Sequence, residues 1–105
     1  MSVTMIHAKV QAGAAAEVEG AAKRLFAAIE REQLKGIRYA SSKLPDGVTF
    51  VILLQLEDGI DNPLGALPEF REFQEGLRNQ LSGPPTQEQL TVVGSYRLFD
   101  WERAE

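Results

Sequence analysis

Hydrophobic residues recur along this chain with two different periods. In residues 3–11, "VTMIHAKVQ", one parity holds Ile6, Ala8 and Val10 and the other Met5, His7 and Lys9. A period of two predicts a strand with one clean apolar face. From 14 to 34 the period is helical: Val18, Ala22, Leu25 and Ile29 form a stripe with Phe26 beside it, while Glu17, Glu19, Lys23, Arg24, Glu30 and Arg31 lie off it. Glu19 and Lys23 form a favourable i,i+4 pair, and Gly36 closes the segment as glycines commonly do after helices. Residues 37–44 read as a second strand and "PDG" at 45–47 as a turn, since Pro presets its own φ, Asp accepts local hydrogen bonds and Gly takes φ > 0. The return strand of this hairpin is 48–57, "VTFVILLQLE". Between Val48 and Leu56 only Thr49 and Gln55 are polar, so this strand is apolar on both faces.

A polar loop with Gly and Pro, "EDGIDNPLGAL", leads to a second helix over 68–81, started by Pro68 and ended by "SGPP". Leu67, Phe70, Leu77 and Leu81 mark its buried stripe, with Phe73 alongside and Gln74 within it. The last strand is expected over 90–99, "LTVVGSYRLF". Strand, helix, strand, strand, helix, strand in one domain spanning 1–105 is an α+β, ferredoxin-like βαββαβ arrangement. It makes the first and third strands central and puts both helices on one face of the sheet. Phe50, Ile52, Leu54 and Leu56 then face the helices, and Val51 and Leu53 face outward with Gln55. An apolar outer face calls for a cover, and a second copy of the chain supplies one.

Composition narrows the function. A net charge of -4 without a run of Lys or Arg argues against nucleic acid. The absence of cysteine excludes disulfides, thiolate catalysis and cysteine-bound zinc. There is no apolar span of membrane length and no signal-peptide pattern at the start, so no membrane association is expected and a cytoplasmic protein is the simplest reading. "EDGIDN" does not follow the calcium-loop spacing. With one His, no Cys and no dinucleotide or phosphate-loop motif, neither metal nor organic cofactor is expected.

Few residues bear chemistry. His7, the one histidine, is a candidate general base, in competition with a plain interface or solvated role. Tyr39 and Tyr96 can each bury a ring and present a hydroxyl, and Tyr96 shares parity with Val92 and Leu98. Gln74, on an apolar stripe, needs a hydrogen-bond partner or a ligand, unless the helix is rotated enough to bring it to the edge.

The segments "NPLGALPEFREFQEGLRNQLSGPP" and "LTVVGSYRLF", with the element order, resemble the antibiotic biosynthesis monooxygenase-like group of dimeric α/β barrel proteins. The resemblance implies a homodimer whose sheets face each other as a barrel with helices outside. It also implies small aromatic or polycyclic ligands held between sheet and helices, and, for some members, oxygenation without metal or flavin. On that reading the ligand pocket lies between the second helix and the sheet, near Phe50, Phe70, Gln74 and Tyr96, with His7, Tyr39 and Tyr96 as catalytic candidates. The alternatives are a non-catalytic dimer that binds small molecules and an isomerase or lyase using His7 or a Tyr. Haem-degrading relatives carry a His leading into or within the second helix and a Trp near the site. This helix has no His, and the one Trp is Trp101 in the tail.

Overall fold

The structure is a computed structural model and describes residues 2–98. Its elements are β1 (Ser2–Lys9), α1 (Ala15–Glu32), β2 (Ile37–Lys43), β3 (Thr49–Leu56), α2 (Pro68–Gln80) and β4 (Thr86–Thr91). The sheet runs β2-β3-β1-β4 with every neighbouring pair antiparallel, so β1 and β3 are central, as the ferredoxin-like reading requires. Val18, Ala21, Ala22, Leu25 and Ala28 of α1 and Phe73 of α2 form one core with Phe50 and Ile52 of β3. Both helices therefore lie on one face of the sheet.

Local chemistry explains the hairpin between β2 and β3. Asp46 Oδ1 accepts the backbone N–H groups of Val48 and Thr49, both at 2.9 Å, and its Oδ2 accepts the Thr49 hydroxyl at 2.6 Å. Gly47 takes φ 78°, which a side chain would resist. Those hydrogen bonds hold the Asp46 carboxyl below its ordinary value, the Thr49 hydroxyl contributing most. At the end of α1 it is Gln33, at φ 49°, that takes the left-handed cap position, ahead of Gly36. The loop before α2 contains a turn of 3-10 helix, Pro63–Ala66, capped by Asn62, whose Oδ1 accepts the Leu64 N–H at 3.0 Å. Leu64 is fully buried there, a core residue inside a segment whose sequence reads as a polar loop.

The last strand is displaced from its expected position. The ladder with β1 is made by "TQEQLT", Thr86–Thr91, and not by the apolar run that follows. The register gives the reason. His7 pairs with Thr86 and Ser2 with Thr91, a register that sets the polar Thr86–Thr91 stretch opposite β1. Residues 92–98 leave the sheet and end beside the opposite edge, where the Leu98 carbonyl accepts a hydrogen bond from Arg38 Nη1 of β2 at 2.9 Å. Arg97 adopts φ 58° just before that contact.

The register also sorts the open face. Cross-strand pairs Met5–Leu53, His7–Val51, Ala40–Leu53 and Arg38–Gln55 share the side away from the helices. This face is not uniformly bare. Val51, Leu53 and Met5 are half-buried, whereas Val3 is 0% and Gln55 1% exposed at the end nearest Leu98. Among the described residues, neither amide atom of Gln55 has a hydrogen-bond partner.

Candidate functional site

α1 crosses the sheet close to edge strand β2, and a cleft of about 450 Å³ opens between them. Ala22, Phe26 and Ala27 of α1 and Phe50 of β3 supply its apolar surface, Ser41 and Ser42 of β2 its hydroxyls, and Glu19, Lys23, Glu30 and Lys43 its charges. The spacing within α1 dictates this lining. Residues 19, 22, 23, 26, 27 and 30 recur every three or four positions, which keeps them on one side of the helix. Lys43 Nζ reaches Glu19 Oε2 at 3.3 Å across the cleft's end. Phe26 is held by a stacked contact with Tyr39, ring centroids 5.2 Å apart and planes 24° off parallel. Burial pushes the Tyr39 phenol up to about 12, so at neutral pH it is a protonated, neutral ring and not a base.

The residues singled out by sequence do not gather at one place. Phe50 is in the core and lines the α1–β2 cleft. Phe70 packs against the same core from α2. Gln74 is exposed, which corrects its placement on the buried stripe. The buried residue is Phe73, flanked by half-buried Phe70 and Leu77, and residue 74 lies one helical step of 100° beyond it. The space between α2 and the sheet is filled by Phe50, Leu64, Leu67, Phe70 and Phe73, so the cleft lies on the α1 side. Tyr96 is 81% exposed, outside any strand, its ring under the Arg97 guanidinium at 5.2 Å. Its parity with Val92 and Leu98 carries no meaning once the ladder stops at Thr91. His7 is exposed on the open face, opposite the cleft. Trp101 lies outside the described residues. Sequence reasoning missed Ser41, Lys43 and Ala27. The available signal was Phe26, which stands beside the α1 stripe and not on it.

Among the described residues, no three His, Cys, Asp or Glu side chains come together as a metal site, and no helix is long and apolar enough to cross a membrane. A further groove, about 590 Å³, lies between α1 and α2. It is lined mainly by charged and amide side chains, among them the Arg24–Glu72 pair at 2.9 Å. A smaller cavity, about 230 Å³, lies where Leu98 meets Arg38, Tyr39, Ala40 and Leu53.

No family model matches the sequence, and no curated protein does. Solved structures do. A protein of Caulobacter crescentus described as a candidate antibiotic biosynthesis monooxygenase is 23% identical with a TM-score of 0.69, over 89% of this chain and 90% of its own. One from Nitrosomonas europaea, described in the same terms, is 15% identical with a TM-score of 0.69, over 90% of this chain and 100% of its own. This chain has the antibiotic biosynthesis monooxygenase fold. The cofactor-independent oxygenase SnoaB of Streptomyces nogalater shares that fold at 21% identity and a TM-score of 0.62, over 91% of this chain and 97% of its own. At these identities the antibiotic biosynthesis monooxygenase fold is what the likeness establishes.

Proposed function

We propose that this protein is a homodimer that binds a small, largely apolar aromatic compound in the α1–β2 cleft and oxygenates it without a bound cofactor. The observation that carries the reading is the lining of that cleft: Phe26, Phe50, Ala22 and Ala27 against the hydroxyls of Ser41 and Ser42, with Lys23, Glu30 and the Lys43–Glu19 ion pair supplying its charges. Rings of a ligand would rest on the phenylalanines. A phenolic or enolic oxygen would meet the Ser41 and Ser42 hydroxyls and the Lys23 ammonium, whose hydrogen bonds would stabilise its deprotonated form. Such an electron-rich anion can itself reduce oxygen. A ring methylene becomes a carbonyl, one oxygen atom enters the product and the other leaves as water, and the substrate supplies all the electrons. The protein's part is to orient the ligand and exclude water from it.

A second reading, a binding protein without catalysis, is favoured by one observation: the single histidine is exposed on the face opposite the cleft. That position also argues against His7 as the proton carrier of an isomerase or lyase acting in the cleft.

Ala27 is exposed on α1 and lines the cleft, so Ala27→Phe fills the site without touching the core. Titration with a naphthol and with an anthrone should show saturable binding that Ala27→Phe weakens by a factor of ten or more. An oxygen electrode should then record one O₂ consumed per anthrone oxidised. Binding without oxygen uptake selects the non-catalytic reading. Equal binding by wild type and Ala27→Phe rules out the cleft.

A further inference from the structure

The charged side chains of the α1–β2 cleft, Glu19, Lys23, Glu30 and Lys43, are not equivalent. Glu19 and Lys43 neutralise each other at 3.3 Å across one end. Among the described residues, the exposed side chains of Lys23 and Glu30 form no ion pair and no hydrogen bond. Residues 23 and 30 lie on α1 at a spacing that returns them to within about 20° of one line, roughly 10 Å apart along the helix axis. Phe26 and Ala27 fall between them and line the same cleft. An apolar strip therefore has an uncompensated ammonium at one end and an uncompensated carboxylate at the other. A second feature acts at the carboxylate end. Glu30 stands in the last turn of α1, which ends at Glu32, and the last carbonyls of a helix carry its negative pole. Arg31, the basic residue of that turn, is engaged elsewhere, with Glu32 at 3.0 Å and Glu69 at 3.3 Å.

We propose that the compound taken up by this cleft carries a basic amine, protonated at neutral pH and held by Glu30, at the end of its aromatic body remote from the oxygen that meets Lys23. The inference rests on the cleft reading above and names the class of ligand within it. Fused rings with a polar substituent at each end match the separation of the two charges. A ligand with acidic oxygens at both ends would set one of them against Glu30 and against the negative pole of α1. A neutral ligand would leave the attraction of that carboxylate unused. An amine turned toward Lys23 would set like charges together, so the same two residues fix the orientation of the ligand. Glu19 is not an equal partner for the amine, because Lys43 already neutralises it.

The test compares a naphthol bearing an aminomethyl group on its far ring with the hydroxymethyl counterpart, which has the same shape and no charge. At low ionic strength the wild type should bind the amine about three- to fivefold more tightly, the range expected of an exposed ion pair. In Glu30→Gln that ratio should fall to about one, and in Glu30→Lys it should invert, because the carboxylate is first neutralised and then replaced by a like charge. Glu30 is exposed, so neither variant disturbs the core, and circular dichroism checks the fold. Asp58→Asn removes the same charge from an exposed turn outside the cleft and should keep the wild-type ratio. A wild-type ratio near one, a preference that survives Glu30→Gln, or an equal fall in Asp58→Asn overturns the amine. The cleft reading still stands in those cases if Ala27→Phe weakens both probes. Probes that bind wild type and Ala27→Phe alike, or bind neither, overturn the cleft reading and this inference together.

Discussion

Gln55 and Tyr39 show how burial acts on single polar groups. Gln55 is 1% exposed on β3, and among the described residues neither atom of its amide has a hydrogen-bond partner. An unpartnered buried amide costs about 1–3 kcal/mol. Gln55→Leu keeps the volume and removes the penalty, so urea denaturation should show the variant at least about 1 kcal/mol more stable. Tyr39 behaves through its titration. Burial raises its phenol from 10.0 to about 12. Between those values the unfolded chain has lost the proton and the folded chain has kept it, so stability falls as pH rises from 10 to 12. The loss is on the order of 2–3 kcal/mol for two pKa units. Tyr39→Phe should lack that alkaline loss, and urea midpoints measured across the interval check it.

At the scale of the element, the rotation of α2 decides which side chain is inside. Residues 70, 73 and 77 are spaced to form a stripe, and Phe73 is its buried centre. Phe73→Ala should cost about 3–5 kcal/mol, the range for a buried aromatic cut to alanine. Gln74→Ala, one position along and exposed, should stay within about 0.5 kcal/mol. Thermal or urea denaturation of the two variants reads the rotation directly, and equal losses would contradict it. The α1–α2 surface adds little, since Arg24–Glu72 and Arg31–Glu69 are exposed pairs, and such pairs are each worth about 0–1 kcal/mol.

For the whole molecule, one face of the sheet is covered by helices and, among the described residues, the other is covered at one end by residues 92–98. In the proposed homodimer, a second chain would cover the remaining patch around Met5, Val51 and Leu53. Light scattering at micromolar concentration should return twice the chain mass of 11.6 kDa. Leu53→Glu, half-buried in the isolated chain, should shift that mass toward one chain by placing an unpaired charge in the interface.

Local rules reach far in this chain because most of them involve near neighbours. The parity of residues 50–56, the Asp46–Gly47 turn and the helical stripe through Val18, Ala22 and Leu25 follow from side-chain chemistry at short separation, and so does the element order that specifies a ferredoxin-like sheet. What tertiary structure alone decided depends on partners distant in sequence. Apolar content pointed to 90–99 as the last strand, but the register with β1 pairs it with Thr86–Thr91 instead. Gln74 and Phe73 differ by a single helical step, too little for periodicity to resolve, and packing against Phe50 and Leu64 settled it. The cleft formed by α1 and β2 has no sequence signature, because its walls meet only when residues 19–30 and 41–50 are brought together by the fold.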